Sequence, residues 1–148
     1  MNRKKILVVD DSIVILKTIS MKLTSNGYEV CTAQDGAEAV SAVRRCKPDL
    51  ILLDLCFPPD VAHGGVVAWD GFLIMDWLRR LDEAKSIPII VITGGDPMKY
   101  KDRALAAGAV SFFHKPINSD ELLTAIRKTL EKHKGATEIP SPALSQPT

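Results

Sequence analysis

The sequence predicts an α/β domain built on one parallel sheet, and three observations carry that prediction. Short apolar runs recur at Ile6–Val9, Leu50–Leu53 and Ile89–Ile92, each continuous rather than alternating. Strands read that way when both faces of a parallel sheet are covered. Helical periodicity fills the gaps between runs, so strand and helix alternate five times along the chain. With right-handed crossovers, that alternation closes into a single parallel sheet carrying helices on both faces.

The elements follow in order. After the first run, residues 13 to 25 put Ile13, Leu16, Ile19 or Ser20, and Leu23 on one helical stripe, and Gly27 stops the helix. Tyr28 to Ala33 alternates, as suits a strand nearer an edge. Asp35-Gly-Ala-Glu38 reads as a capping box, with Val40 and Val43 facing inward behind it. Residues 71 to 82 carry Phe72, Met75 and Leu78 at helical spacing, and residues 97 to 107 form a more polar helix ending at Gly108. A shorter apolar run, Ala109 to Phe113, supplies the fifth strand. The last helix starts at Asn118, has Glu121 at the box position and carries Leu122, Leu123, Ile126 and Leu130. It closes with Lys132, His133 and Lys134 against the negative end of the helix dipole, then Gly135. The remainder holds three prolines and little apolar content, so residues 135–148 read as a disordered tail or a linker.

Composition narrows the function classes. With 148 residues, 46% hydrophobic and 25% charged, the chain suits one globular domain that needs no staple. A net charge of +1 offers no bulk attraction for nucleic acid or membrane. The basic start runs into an apolar stretch that ends in two aspartates, which is no signal-peptide core, and no run is long enough to span a bilayer. The expected location is cytoplasmic. Cys31, Cys46 and Cys56 show no CxxC spacing; they are expected to be small buried apolar residues, with no disulfide framework and no metal site. His63, His114 and His133 are expected to be exposed or locally bonded.

In an open α/β sheet, ligands bind beyond the carboxyl ends of the strands, at the switch point in strand order. The residues that follow the strands here are Asp10 and Asp11, Asp54, Thr93 with Gly94 and Gly95, and Lys115 with Pro116. Three carboxylates at one edge repel one another, and a hard divalent cation such as Mg²⁺ relieves that repulsion. A carboxylate beside the metal can attack phosphorus, with the ammonium and hydroxyl neutralising the phosphoryl oxygens. No leaving-group acid is evident, which suits an already activated phosphoryl donor. Singly, each residue has a plainer role. Asp11 or Ser12 can cap the first helix, Asp54 can end a strand, Thr93 and Lys115 can open loops, and Phe112 can be core. Chance would not bring all of these chemical types to one sheet edge.

Taken together, Ile-Leu-Val-Val-Asp10-Asp11-Ser, Pro48-Asp-Leu-Ile-Leu-Leu-Asp54-Leu, Ile89-Ile-Val-Ile-Thr93-Gly and Ala107-Gly-Ala-Val-Ser-Phe112-Phe-His-Lys115-Pro116 resemble a response-regulator receiver domain of two-component signalling. The match runs over residues 4 to 133, and the domain is expected to occupy 4–134. The resemblance implies a doubly wound (βα)5 flavodoxin-like fold with strand order 2-1-3-4-5. It implies Asp54 as phosphoacceptor, Asp11 as direct metal ligand, Asp10 as acidic neighbour acting through water, and the Cys56 backbone carbonyl as a further Mg²⁺ ligand. Thr93 and Lys115 match the phosphoryl-holding groups, Phe112 the aromatic switch residue that follows Thr93, and Pro116 a proline after a cis bond. The implied donor is a histidine kinase or histidine phosphotransfer protein. The implied output is a protein-binding surface around the fourth helix, fifth strand and fifth helix, which can serve a phosphorylation-dependent homodimer. Such a domain is only marginally an enzyme, being an autocatalytic acceptor with slow self-dephosphorylation.

One departure stands out. The stretch from Pro58 to Asp70 is about nine residues longer than the family pattern, and loops of that length are often functional. The insertion, 59–69, includes Val66, Val67 and Trp69, which could shield the site, though a neutral surface insertion fits as well. Other classes fit the residues less well. A phosphorylation-independent interaction module usually lacks one of the acids or the lysine, and all are present here. An aspartyl-phosphate hydrolase usually carries Asp-x-Asp after the first strand, and this chain has adjacent Asp10-Asp11. Flavin phosphate would be repelled by the acids. No DNA-binding motif is present within these residues.

Overall fold

The structure, a computed structural model of the chain, describes residues 3–54, 71–94, 97–115 and 117–137. Five parallel strands, β1 (Lys5–Val9), β2 (Glu29–Ala33), β3 (Leu50–Leu53), β4 (Ile89–Thr93) and β5 (Ser111–His114), alternate with five helices. The helices are α1 (Ile13–Ser25), α2 (Gly36–Cys46), α3 (Gly71–Arg80), α4 (Pro97–Ala106) and α5 (Ser119–Thr137). The sheet order is β2-β1-β3-β4-β5, as expected from the resemblance. The chain leaves β1 toward β2 on one side, then crosses to β3 on the other, so the switch point lies between β1 and β3.

Two apolar cores explain why the strand sequences are continuously hydrophobic. Leu7, Val9, Ile51, Leu53 and Val91 pack with Val40 and Val43 of α2, Met75 and Leu78 of α3, and Ala104 of α4. Ile6, Val8, Leu50, Leu52, Ile90 and Ile92 face the opposite way, onto Leu16 and Leu23 of α1 and Leu122, Ile126 and Leu130 of α5. Adjacent strand residues therefore serve different cores, and each buried aliphatic side chain contributes roughly 1.5–3 kcal/mol.

Local signals account for most element ends. Ser12 caps α1 through its Oγ, which accepts from the Ile15 N–H, and Gly27 follows at φ +91°. At α2, Asp35 accepts from the Glu38 N–H while Glu38 reaches back to the Gln34 N–H, both at 2.8 Å, so the capping box closes. The Asn118 Oδ1 accepts from the Glu121 N–H at the start of α5.

Several expectations shift. Ile13, the first residue of α1, is 54% exposed and does not share the buried stripe of Leu16 and Leu23. β5 begins at Ser111 rather than Ala109; Gly108 and Val110 belong to the turn that brings the Val110 N–H onto the Ile89 carbonyl. α3 ends at Arg80, two residues short of the expected end. α5 continues through Gly135 to Thr137, since a glycine costs a helix only about 1 kcal/mol and is no absolute stop. The cysteines also depart from expectation: Cys31 of β2 and Cys46 of α2 are joined by a disulfide and are each partly buried. Helix α2 runs back along its own strand, so residues 15 apart in sequence come to a Cα separation of 6.8 Å. Spacing rules tuned to tight motifs do not register such a return.

Gly108 generates a stability prediction. It sits at φ +111°, and a Cβ there would overlap the Arg79 guanidinium, which donates to the Gly108 carbonyl at 2.7 Å and the Lys85 carbonyl at 3.0 Å. Gly27 has a comparable φ of +91° but open space around it. Gly108→Ala should cost about 2–4 kcal/mol in urea unfolding, and Gly27→Ala only the backbone share of about 1–2 kcal/mol. Equal losses in the two variants would show that the Arg79 contact carries no weight.

Candidate functional site

The sheet ladder continues one residue past the strands, and that extension positions the site. The Asp10 N–H donates to the Ala33 carbonyl at 3.1 Å, the Asp54 N–H to the Val9 carbonyl at 3.0 Å, and the Lys115 N–H to the Thr93 carbonyl at 2.9 Å. Register pairs Val9 with Leu53, so Asp10 and Asp54 leave neighbouring strands side by side. Asp10 and Asp54 are each only 4% exposed, and Thr93 is fully buried.

Buried carboxylates require partners. Lys115 Nζ donates to Asp10 Oδ2 at 2.9 Å and to Asp54 Oδ2 at 3.2 Å, joining the two across the switch point. The other oxygen of Asp10 accepts from the Ser12 N–H at 2.9 Å. Helix capping at α1 thus falls to Ser12, with Asp10 holding the turn, and Asp11 carries no capping role among the described contacts. Carboxylate oxygens of Asp10, Asp11 and Asp54 all lie within 4.8 Å of one another.

The charges act on one another. Burial raises the Asp11 carboxyl above its usual range, and the neighbouring Asp10 adds charge repulsion and a shared hydrogen bond in the same direction. For Lys115, burial pulls its pKa down, but the hydrogen bond to Asp10 and the charges of Asp54 and Asp10 together raise it. Three carboxylates against one ammonium leave two negative charges in excess. The donor set is all hard oxygen, so these residues fit a small divalent cation of the Mg²⁺ type.

Phe112 lies half-buried against the α2–α3–α4 core, in register with Val91, while Phe113 packs toward the α1–α5 core. His114 is exposed, as expected. Cys56, Pro116, His63, the 59–69 insertion and the tail from 138 onward lie outside the described residues, as does the side chain of His133. Sequence reasoning weighed Ser12 only as a cap and missed its backbone link to Asp10. That link runs through a backbone N–H, which nearly every residue carries, so residue identity gives no signal for it.

Comparison with known proteins agrees with this geometry. A family model described as the response regulator receiver domain matches residues 6–127. The transcriptional regulatory protein KdpE of Mycobacterium tuberculosis is 33% identical over 139 residues, covering 94% of this chain and 56% of that protein. Response regulator MprA of Mycobacterium leprae is 33% identical over 141 residues, covering 95% and 57%. The chain therefore spans about half the length of the curated relatives it matches. Among solved structures, the chemotaxis protein CheY4 of Vibrio cholerae superposes with a TM-score of 0.74 at 31% identity, covering 86% of this chain and 98% of that one. A response regulator receiver domain protein from Methanospirillum hungatei gives 0.78 at 26% identity, covering 91% and 99%. Motif order, sheet topology and family match agree, and the chain belongs to the response-regulator receiver domains.

Proposed function

We propose that this receiver accepts a phosphoryl group from a phosphohistidine onto Asp54, with Mg²⁺ held by Asp10, Asp11, Asp54 and the Cys56 carbonyl, and that the modification switches a protein-binding surface. The observation that carries the reading is the Lys115 ammonium joining Asp10 and Asp54, with Asp11 in the same cluster. An oxygen of Asp54 attacks phosphorus as the P–N bond of the donor breaks, and the imidazole leaves with a proton from solvent. Bound Mg²⁺ would supply neutralisation of the carboxylates and of the charge on the phosphoryl oxygens. Lys115 meets one phosphoryl oxygen and the Thr93 hydroxyl donates to another.

Receiver domains of this family pair with histidine kinases or phosphotransfer proteins, which are the proposed donors. Output is proposed through the α4-β5-α5 face, to a downstream protein or a second phosphorylated copy, in the cytoplasm and without direct contact to nucleic acid or membrane. No helix among the described residues is long and apolar enough to cross a membrane. The receiver unit is taken as 4–134, with residues 135–148 as a tail or linker. A phosphorylation-independent module is the weaker reading, since every acid and the lysine are retained.

Phosphodonor treatment with Mg²⁺ should add one phosphoryl group to the wild type by intact mass and none to Asp54→Ala. A stable adduct on the variant would refute the assignment.

Asp11 yields a pH-dependent prediction. Its carboxyl titrates higher in the folded than in the unfolded protein, so it favours the fold in acid and opposes it once pH rises through the raised value. In metal-free buffer at neutral pH, Asp11→Asn should be more stable than wild type by up to about 1 kcal/mol, discounted for solvent screening. That advantage should vanish below the unfolded value of 3.8, while Mg²⁺ affinity at neutral pH drops at least tenfold. Unchanged Mg²⁺ affinity in a fluorescence or calorimetric titration would count against the metal assignment.

Phe112 has no hydroxyl to hold it in solvent, and its half-burial beside a fully buried Thr93 supports an active-like bias before phosphorylation. Side-chain NMR of the free and phosphate-mimic-bound protein should show the ring largely inward in both. A ring that is solvent-exposed in the free state and buried only with the mimic would remove the proposed bias.

A further inference from the structure

The Cys31–Cys46 bond lies outside the phosphoryl chemistry and has no part in it. Cys31 stands mid-strand in β2, in register with Leu7, and its side chain packs against the core that α2 covers. Cys46 is the last residue of α2. Among the described residues, β2 is an edge strand, hydrogen-bonded only to β1 within the sheet. The bond therefore ties the sheet's outermost strand to the end of the helix that covers it. The Cα separation of 6.8 Å stands at the upper end of what a disulfide usually spans, so the pair can also part without rebuilding the backbone.

The surroundings favour exchange chemistry. Both cysteines are partly buried rather than sealed in the core. Cys46 is flanked by exposed Arg44, Arg45 and Lys47, of which Arg44 pairs with Glu83 at 3.3 Å. Such a cationic rim attracts an anionic small-molecule disulfide of the glutathione type. In the reducing compartment proposed above, disulfides are as a rule transient or redox-sensing rather than permanent.

We propose that Cys31 and Cys46 form a reversible thiol–disulfide site, oxidised by an anionic low-molecular-weight disulfide, that staples the last turn of α2 to the edge strand β2. One protein thiolate attacks a sulfur of the small disulfide and expels one small thiolate. The second protein thiolate then attacks the protein sulfur of the mixed disulfide and expels the other. Two electrons pass from the protein dithiol to the small disulfide, which leaves as two thiols, with the protons released on forming the protein thiolates. Closing a loop of 15 residues restricts the unfolded chain, so the oxidised form should melt higher by on the order of 10 °C. Leu7, the register partner of Cys31, lies three residues before Asp10, roughly 10 Å back along the strand, so the acceptor site keeps its geometry in both states.

The test equilibrates the full chain in mixtures running from reduced to oxidised glutathione, then traps free thiols by alkylation and maps peptides by mass. Wild type should pass from alkylated to cross-linked at Cys31 and Cys46 within that range. Its melting temperature should follow, and α2 amide exchange should slow in the oxidised form. Cys31→Ser and Cys46→Ser should each abolish the redox dependence of melting. Free thiols at both Cys31 and Cys46 throughout would overturn the proposal, as would a bond that survives the most reducing mixture. Phosphoryl incorporation on the same samples reports the proposed receiver function separately, so failure of one reading is distinguishable from failure of the other.

Discussion

Two carboxylates, Asp10 and Asp54, are buried side by side at the end of a hydrophobic sheet, and this constraint shapes everything around them. At the separations seen here, each pair of like charges repels by roughly 3 kcal/mol at an effective dielectric of about 20. The fold accepts that cost because the opposing charge is built in. Lys115 arrives from the far side of the sheet and spans both acids, while the backbone N–H of Ser12 holds Asp10 from below. Removing the ammonium would strand two desolvated anions, which is far worse than never having buried them. The upward shift of Asp11 comes first from burial, with the Asp10 charge adding to it and Lys115 offsetting only part.

That incomplete neutralisation links stability to chemistry. A site left with excess negative charge suits a divalent cation, and carboxylates already gathered and bridged by an ammonium would need little reorganisation for the proposed phosphoryl transfer. The same lysine continues the β5 backbone, with its N–H on the Thr93 carbonyl. Movement at the proposed acceptor would thereby reach the two strand ends that carry Thr93 and, three residues upstream of Lys115, Phe112. A half-buried ring there has room to respond, which a fully packed one would lack.

Away from the site, the molecule is held by long-range ties at its weaker places. Arg79 of α3 donates to the Gly108 and Lys85 carbonyls, fastening the turn before β5 to the helix beside it. The Asp49 carboxylate accepts from the Lys5 N–H at 2.9 Å, tying the start of β1 to the approach of β3. The Cys31–Cys46 bond does the same for the edge strand β2. The central strands β1, β3 and β4 are in addition paired on both sides and covered by two cores.

Sequence by itself determined the alternation of elements, the parallel sheet and the set of polar residues that follow the strands. Those properties are local: continuous apolar runs, helical periodicity and caps such as Asp35 and Asn118 act within a few residues of where they are read. Strand order was legible, and residue roles could be proposed, only through the combined motifs, because no single strand encodes its neighbour. Tertiary structure decided what depends on residues meeting from distant elements. It made Ser12 the cap, turned Ile13 outward, moved the start of β5 past the Gly108 turn, carried α5 through Gly135 and bonded Cys31 to Cys46. It also brought Lys115 between Asp10 and Asp54, a contact spanning 105 residues for the first acid and 61 for the second. Periodicity carries no information about such pairs; only the packing of helices onto a shared sheet sets the distances at which their charges and sulfurs interact.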